Sequence, residues 1–171
     1  MHDTTAPQID IVDIVIEDDR WLDAGLPAMA ERAARAVGEW LALGEFQVVV
    51  MGCDDKRIAT LNAEFRGKPK PTNVLSWPVI EFEPHEPGAR PQPPETDELG
   101  DIAISYDTCQ REAEAQKKPF ADHATHLLVH AVLHLAGYDH IDDQDAETME
   151  DAERSILGKL GIPDPYLEHE T

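Results

Sequence analysis

Residues 120–140 read FADHATHLLVHAVLHLAGYDH, and the rest of the chain is best understood outward from this stretch. Between Leu127 and Ala136 the only polar side chains are His130 and His134. A helix apolar on all sides is a buried one, and a buried imidazole without a partner costs ~1–3 kcal/mol. Four residues apart, the two histidines stack on one helix face. Gly137 then permits a sharp turn through which His140 can return to the same point. The spacing His-x3-His-x5-His brings three imidazoles together, as in a zinc site with three protein ligands and an open fourth position, the catalytic form of such a site. Three separately satisfied core histidines are the plainer alternative; the glycine turn between the second and third favours metal. His123 and His126 add to the density. Roles behind the ligands or toward substrate, and exposed helix histidines, are both open for them. Asp139 either orients a ligand or is a turn aspartate.

The flanking sequence supplies the elements that would surround this helix. Ile9 to Ile16 alternates, predicting a half-exposed strand. Leu26, Ala30, Ala33 and Val37 recur at helical spacing, so 27–42 is an amphipathic helix with Pro27 in its first turn. Phe46 to Met51 is a valine-rich apolar run, suited to a buried strand. Asp54 or Asp55 can cap a helix at about 55–65, with Ile58, Leu61 and Phe65 on one face. Asn73–Val79 and Leu99–Ser105 read as strands. Tyr106–Lys118 is a polar helix stopped by Pro119, and Asp142–Leu160 is a last helix, acidic in its first turn as the helix dipole favours. Residues 81–98 hold five prolines and six acids in eighteen positions, too little apolar area to fold. These features predict a disordered segment 1–8, one domain over 9–166 interrupted by a mobile proline-rich acidic loop at 84–96, and a tail at 167–171.

At 171 residues the chain suits one domain. Acids outnumber bases 35 to 14, a formal net charge of −21, which argues against general duplex or membrane-surface binding. Cys53 and Cys109 form no CxxC pair and cannot build a disulfide framework or a cysteine zinc site; reduced thiols are expected. No apolar run approaches the ~18 residues of a membrane span, and residues 1–8 lack the features of a secretory signal. A soluble cytoplasmic protein is expected. Five of the fourteen bases fall within Lys56–Lys70. There Arg66-Gly67-Lys68-Pro69-Lys70-Pro71 forms a loop presenting cations, and a guanidinium can clamp a phosphate through two parallel hydrogen bonds. A metal-activated water beside a phosphate-binding arginine points to phosphodiester cleavage. A plain solvated loop is the alternative.

The histidine spacing also occurs in zinc proteases of the HExxHxxGxxH type, where a glutamate after the first histidine is the general base. Here that position is Ala131, which cannot take a proton. A protease-like zinc metallohydrolase is therefore disfavoured, as is a non-catalytic assembly factor with a structural metal, since structural zinc takes four ligands.

Three stretches, LNAEFRGKPKPTNVLSWP at 61–78, ELGDIAIS at 98–105 and HATHLLVHAVLHLAGYDH at 123–140, together with the closing DPY at 164–166, resemble the YbeY family of metal-dependent endoribonucleases. The resemblance implies an α+β fold: a single domain with a small mixed sheet packed with helices around a central histidine-bearing helix. It implies one zinc ion per chain on His130, His134 and His140. It places Arg66 near the metal, binding or cleaving single-stranded RNA; the cationic loop itself adds Lys68 and Lys70 as candidate substrate contacts. It implies a role in ribosomal RNA maturation at the small-subunit 3′ end and in ribosome quality control, with the ribosome or small-subunit proteins as partners. Ala131 stands where many relatives have glycine, which removes no ligand, and the acidic loop at 81–98 is expanded.

Overall fold

The computed structural model describes residues 11–79, 86–91, 97–139 and 142–166. The expected disordered segment 1–8, the tail 167–171, the third histidine His140, and the loop positions 84–85 and 92–96 lie outside the described residues.

The element order is β1 (Val12–Ile16), α1 (Arg20–Asp23), α2 (Leu26–Trp40), β2 (Gln47–Cys53), α3 (Asp55–Arg66), β3 (Val74–Pro78), β4 (Glu98–Ser105), α4 (Tyr106–Gln116), α5 (Phe120–Leu135) and α6 (Asp143–Lys159). Each predicted element within the described residues is present, with ends shifted by a few positions. The single turn α1 has no counterpart in the sequence reading, because four residues are too few to show a period. It exists to seat Trp21, which is fully buried and donates from Nε1 to the Cys53 carbonyl.

The chain ends of the helices follow from local chemistry. Asp54 caps α3 by accepting from the Arg57 amide, and Gly67 closes it at a φ of 69°. Asp142 caps α6 by accepting from the Gln144 amide. Lys117, at a φ of 56°, turns the chain out of α4, and Pro119 directly precedes α5.

The four strands form a mixed sheet in the order β1-β2-β4-β3. β1 and β2 pair in parallel, as do β2 and β4, while β3 runs antiparallel to β4. Successive side chains alternate faces. Val50, Ile102 and Ser76 share one face; Met51, Ala103 and Leu75 share the other. On the first face lie α2 and α5, whose Ala33, Val37, Leu128, Val132 and Leu135 join Val48, Val50, Ile102 and Ile104 in the main core. On the second lies α3, whose Ile58 and Leu61 pack with Cys53, Leu75 and Ala103. Helix α5 touches α2, α4, α6, β3 and β4, so the expected central helix is central. Among the described residues, no helix is long and apolar enough to cross a membrane.

β3 is an edge strand. The Ser105 amide bonds to the Asn73 carbonyl and the Val79 amide to the Leu99 carbonyl. By antiparallel alternation, Asn73, Leu75 and Trp77 turn their backbone groups toward β4, whereas Val74, Ser76 and Pro78 turn theirs to the open edge. Gly100, opposite Pro78, has a φ of 145°, and a Cβ there would fall on the Trp77 carbonyl oxygen. Only glycine brings β3 this close to β4.

Candidate metal centre and substrate groove

A groove of about 720 Å³ runs along the open edge of β3. One wall is the end of α3 with Phe65 and Arg66. The floor is Asn73–Trp77. The other wall is α5 with His126, His130 and His134, and Asp139 and Tyr166 close it. The structure therefore brings together Arg66, His130 and His134, three of the residues the sequence singles out. It also brings in Asp139, which directly precedes His140 in the chain. Gly137 makes the expected turn at a φ of 105°, with the Tyr138 amide returning to the Leu133 carbonyl. Lys68 and Lys70 are exposed and lie outside the lining of the groove. Their loop is folded instead on the buried Asn62, which donates from Nδ2 to the Lys70 carbonyl and accepts from the Lys68 amide at its own carbonyl.

Every histidine of α5 has an oxygen partner. Ser76 Oγ is 2.7 Å from His134 Nδ1. Glu153 Oε1 is 2.7 Å from His126 Nε2 and 3.4 Å from His130 Nδ1. Glu112 Oε1 is 2.9 Å from His123 Nε2 and also accepts from Asn73 Nδ2, tying α4 and α5 to the start of β3. His123 and His126 are thus not exposed helix histidines; His123 is only 4% exposed, and its burial lowers its pKa despite the Glu112 carboxylate.

The residue the sequence reading missed is Glu153. It is fully buried, and Tyr166 donates its hydroxyl to the carboxylate at 2.9 Å while its ring lies edge-on to His126. Burial opposes the charge, but the donors His126 and His130 hold the Glu153 pKa down at about 2. The same burial and the same carboxylate push the Tyr166 phenol up, so it stays a donor. Arg154 fastens this lid to the helix, pairing with Asp164, which in turn accepts from the Tyr166 amide. A signal was present: Met149, Ala152, Ile156 and Leu157 form the buried stripe of α6, and Glu153 is the carboxylate within that stripe.

Among the described residues no group of three or more His, Cys, Asp or Glu side chains could hold a metal ion; His130 and His134 are two of the three expected ligands, and the third, His140, lies outside the described residues. In a metal-ligating histidine, the ring nitrogen away from the ion is held by an oxygen partner that fixes tautomer and orientation. Here Nδ1 of His130 faces Glu153 on α6 and Nδ1 of His134 faces Ser76 on β3. A neutral ring that donates from Nδ1 to these oxygens leaves its Nε2 with the lone pair a metal takes. The general-base position of the zinc proteases is empty of chemistry: Ala131 is 1% exposed and belongs to the core. The thiols play no part here, since Cys53 and Cys109 are buried, and burial raises the Cys53 pKa to about 12 and that of Cys109 further.

A family model described as Endoribonuclease YbeY matches residues 17–161. An endoribonuclease YbeY of Paracoccus denitrificans (strain Pd 1222) is 86% identical over 162 residues, covering 95% of this chain and 93% of that protein. One of Ruegeria sp. (strain TM1040) is 57% identical over 164 residues, covering 92% and 96%. The solution structure of TM1509 from Thermotoga maritima superimposes with a TM-score of 0.55 at 22% identity, covering 92% of this chain and 99% of that one; it has the same fold.

Proposed function

The chain belongs to the endoribonuclease YbeY family, and from that premise we propose that it is a zinc-dependent endoribonuclease cleaving single-stranded RNA in the groove along β3. The observation that carries the reading is the meeting of Arg66 with His130 and His134 in one groove. His130, His134 and His140 would hold one zinc ion, which when bound supplies Lewis acidity at the scissile phosphate. Arg66 binds a phosphate oxygen through its two-pronged guanidinium and offsets charge that develops there. Ser76 and Glu153 orient the two helix histidines. A single strand is the proposed substrate because a chain of charge −21 is poorly suited to general duplex binding. The core position of Ala131 supports phosphodiester over peptide cleavage. Maturation of ribosomal RNA at the small-subunit 3′ end and ribosome quality control in the cytoplasm, with ribosomal partners, is the setting this activity fits.

The test is cleavage of a single-stranded RNA by four proteins with metal content measured. Arg66→Glu should keep the fold and the zinc but cleave at least tenfold more slowly, since hydrogen bonding to a charged group is worth ~1.5–3 kcal/mol. Arg66→Lys should fall between, because charge remains while the fork is lost. His134→Ala should lose metal and activity together. Equal rates for Arg66→Glu and the parent would remove Arg66 from the site. Normal zinc content in His134→Ala would remove the metal assignment.

A further inference from the structure

Phe65 is 61% exposed, the most exposed large apolar side chain among the described residues. Its stripe mates on α3, Ile58 and Leu61, are buried beneath the sheet, and the periodicity of the sequence puts all three on one face. Phe65 escapes burial because β3 is the last strand: past Trp77 there is no further strand for α3 to cover. Its ring instead meets the Trp77 indole nearly edge to face, with centroids 5.1 Å apart and an interplanar angle of 64°. Trp77 is itself half-buried, and both rings line the groove that holds Arg66, His130 and His134.

Phe65 thus keeps an exposed ring face within the groove, which a flat apolar partner would cover. Electrostatics cannot supply much RNA affinity in a chain of charge −21, because long-range attraction for a polyanion is lacking. Stacking can, since every base has an apolar π-face whatever the charge of the protein. Unpaired bases are the ones available for it, and Arg66, the next residue in the chain, places a phosphate clamp beside the rings.

We propose that Phe65, backed by Trp77, is a stacking platform for one unpaired nucleobase of the RNA strand whose phosphate meets Arg66. The proposal rests on the endoribonuclease reading of the same groove and adds to it a base subsite. It makes affinity depend on a nucleobase at one position of the strand and tolerates any of the four bases there, with purines favoured for their larger rings.

The experiment is steady-state cleavage of a single-stranded RNA oligonucleotide by the parent, Phe65→Ala and Phe65→Tyr at matched metal content. It is repeated on oligonucleotides carrying one abasic residue at successive positions. Phe65 is exposed, so both variants should fold, which circular dichroism checks. Phe65→Ala should raise KM about tenfold, with the effect on KM rather than kcat, and Phe65→Tyr should restore it. One abasic position should raise KM for the parent while leaving Phe65→Ala indifferent. Cleavage by the parent with unchanged KM in Phe65→Ala, or with a KM rise equal at every abasic position in both proteins, overturns the platform and leaves the nuclease reading intact. Absence of RNA cleavage by the metal-loaded parent overturns both.

Discussion

Glu153 is a buried anion surrounded by the donors that justify it. His126 and Tyr166 both donate to its carboxylate, and His130 lies beside it. Removing one partner of such a cluster leaves the others buried and unsatisfied, which costs about 3–5 kcal/mol. Glu153→Ala should therefore lower stability by that amount in urea unfolding, whereas Glu153→Gln, which keeps an acceptor oxygen, should lose less. Similar stability for Glu153→Ala and the parent would show that the cluster is indifferent to its centre. The sequence displays His130 and His134 at once, because two imidazoles in an apolar run are anomalous by themselves. Glu153 comes just after six other acids within Asp142–Asp151, in the same acidic helix, so its burial is hidden in a composition that reads as solvated surface. Ser76 is hidden for a related reason. A serine in a strand looks like an outward polar position, and only the antiparallel register with β4 shows that it shares a face with Ile102 and looks toward α5.

At the scale of elements, periodicity and caps are enough to find every helix of two turns or more and every strand among the described residues. They could not order the strands. That β3 runs antiparallel at the edge while β1, β2 and β4 are parallel depends on long-range pairing, and the groove exists only because of that order. Phe65 shows the same limit: helical spacing predicts its face, but not where the sheet beneath it stops. The proline-rich loop is a further case. Its composition gives no reason to pack, yet its described part, 86–91, is docked on α6. The Gly88 amide donates to Asp145, Thr148 donates to the Gly88 carbonyl at 2.6 Å, and Arg90 lies 4.5 Å from the Trp40 ring centroid. Two hydrogen bonds at ~0.5–1.5 kcal/mol each and one exposed cation–π contact at ~0.5–1 kcal/mol offset by loop ordering imply a modest effect. Replacing 86–91 by a Gly/Ser linker of equal length should cost about 1–2 kcal/mol in thermal or urea unfolding and leave RNA cleavage unchanged, because this loop lies on α6 away from the groove. A loss of cleavage without a loss of stability would place the loop in the substrate path instead.

Over the whole molecule, acid stability rests on carboxylates held ionised by their donors, Glu153 in the histidine cluster and a second network of ion pairs. Arg20 pairs with Asp107 and Asp18, and Asp55 accepts from Ser105 and Thr108 and pairs with Arg111. The Arg20 guanidinium holds the Asp107 and Asp18 carboxyls below their ordinary range; at Asp55 burial works against the charge, and the hydroxyl and guanidinium donors overcome it. A carboxylate with a depressed folded-state pKa stabilises fully above its unfolded value of about 3.9 and loses that contribution as pH falls through the folded value. Stability should thus decline below about pH 4, and Asp107→Asn should make that decline shallower while costing about 1 kcal/mol at neutral pH. Urea midpoints measured from pH 7 down to pH 3 check both, and an unchanged acid limb in Asp107→Asn would remove this pair from it.

The open edge of β3 also bears on how copies of the chain behave toward one another. An unpaired strand edge is a template for strand addition between molecules. Here the edge presents little to template. Pro78 has no N–H, the Val74 amide is already taken by its own neighbour Asn73 Oδ1 at 2.7 Å, and the walls of the groove stand on either side. With a charge of −21 on each copy, repulsion between molecules also works against a second sheet docking there, so the chain is expected not to polymerise through this edge even at high concentration.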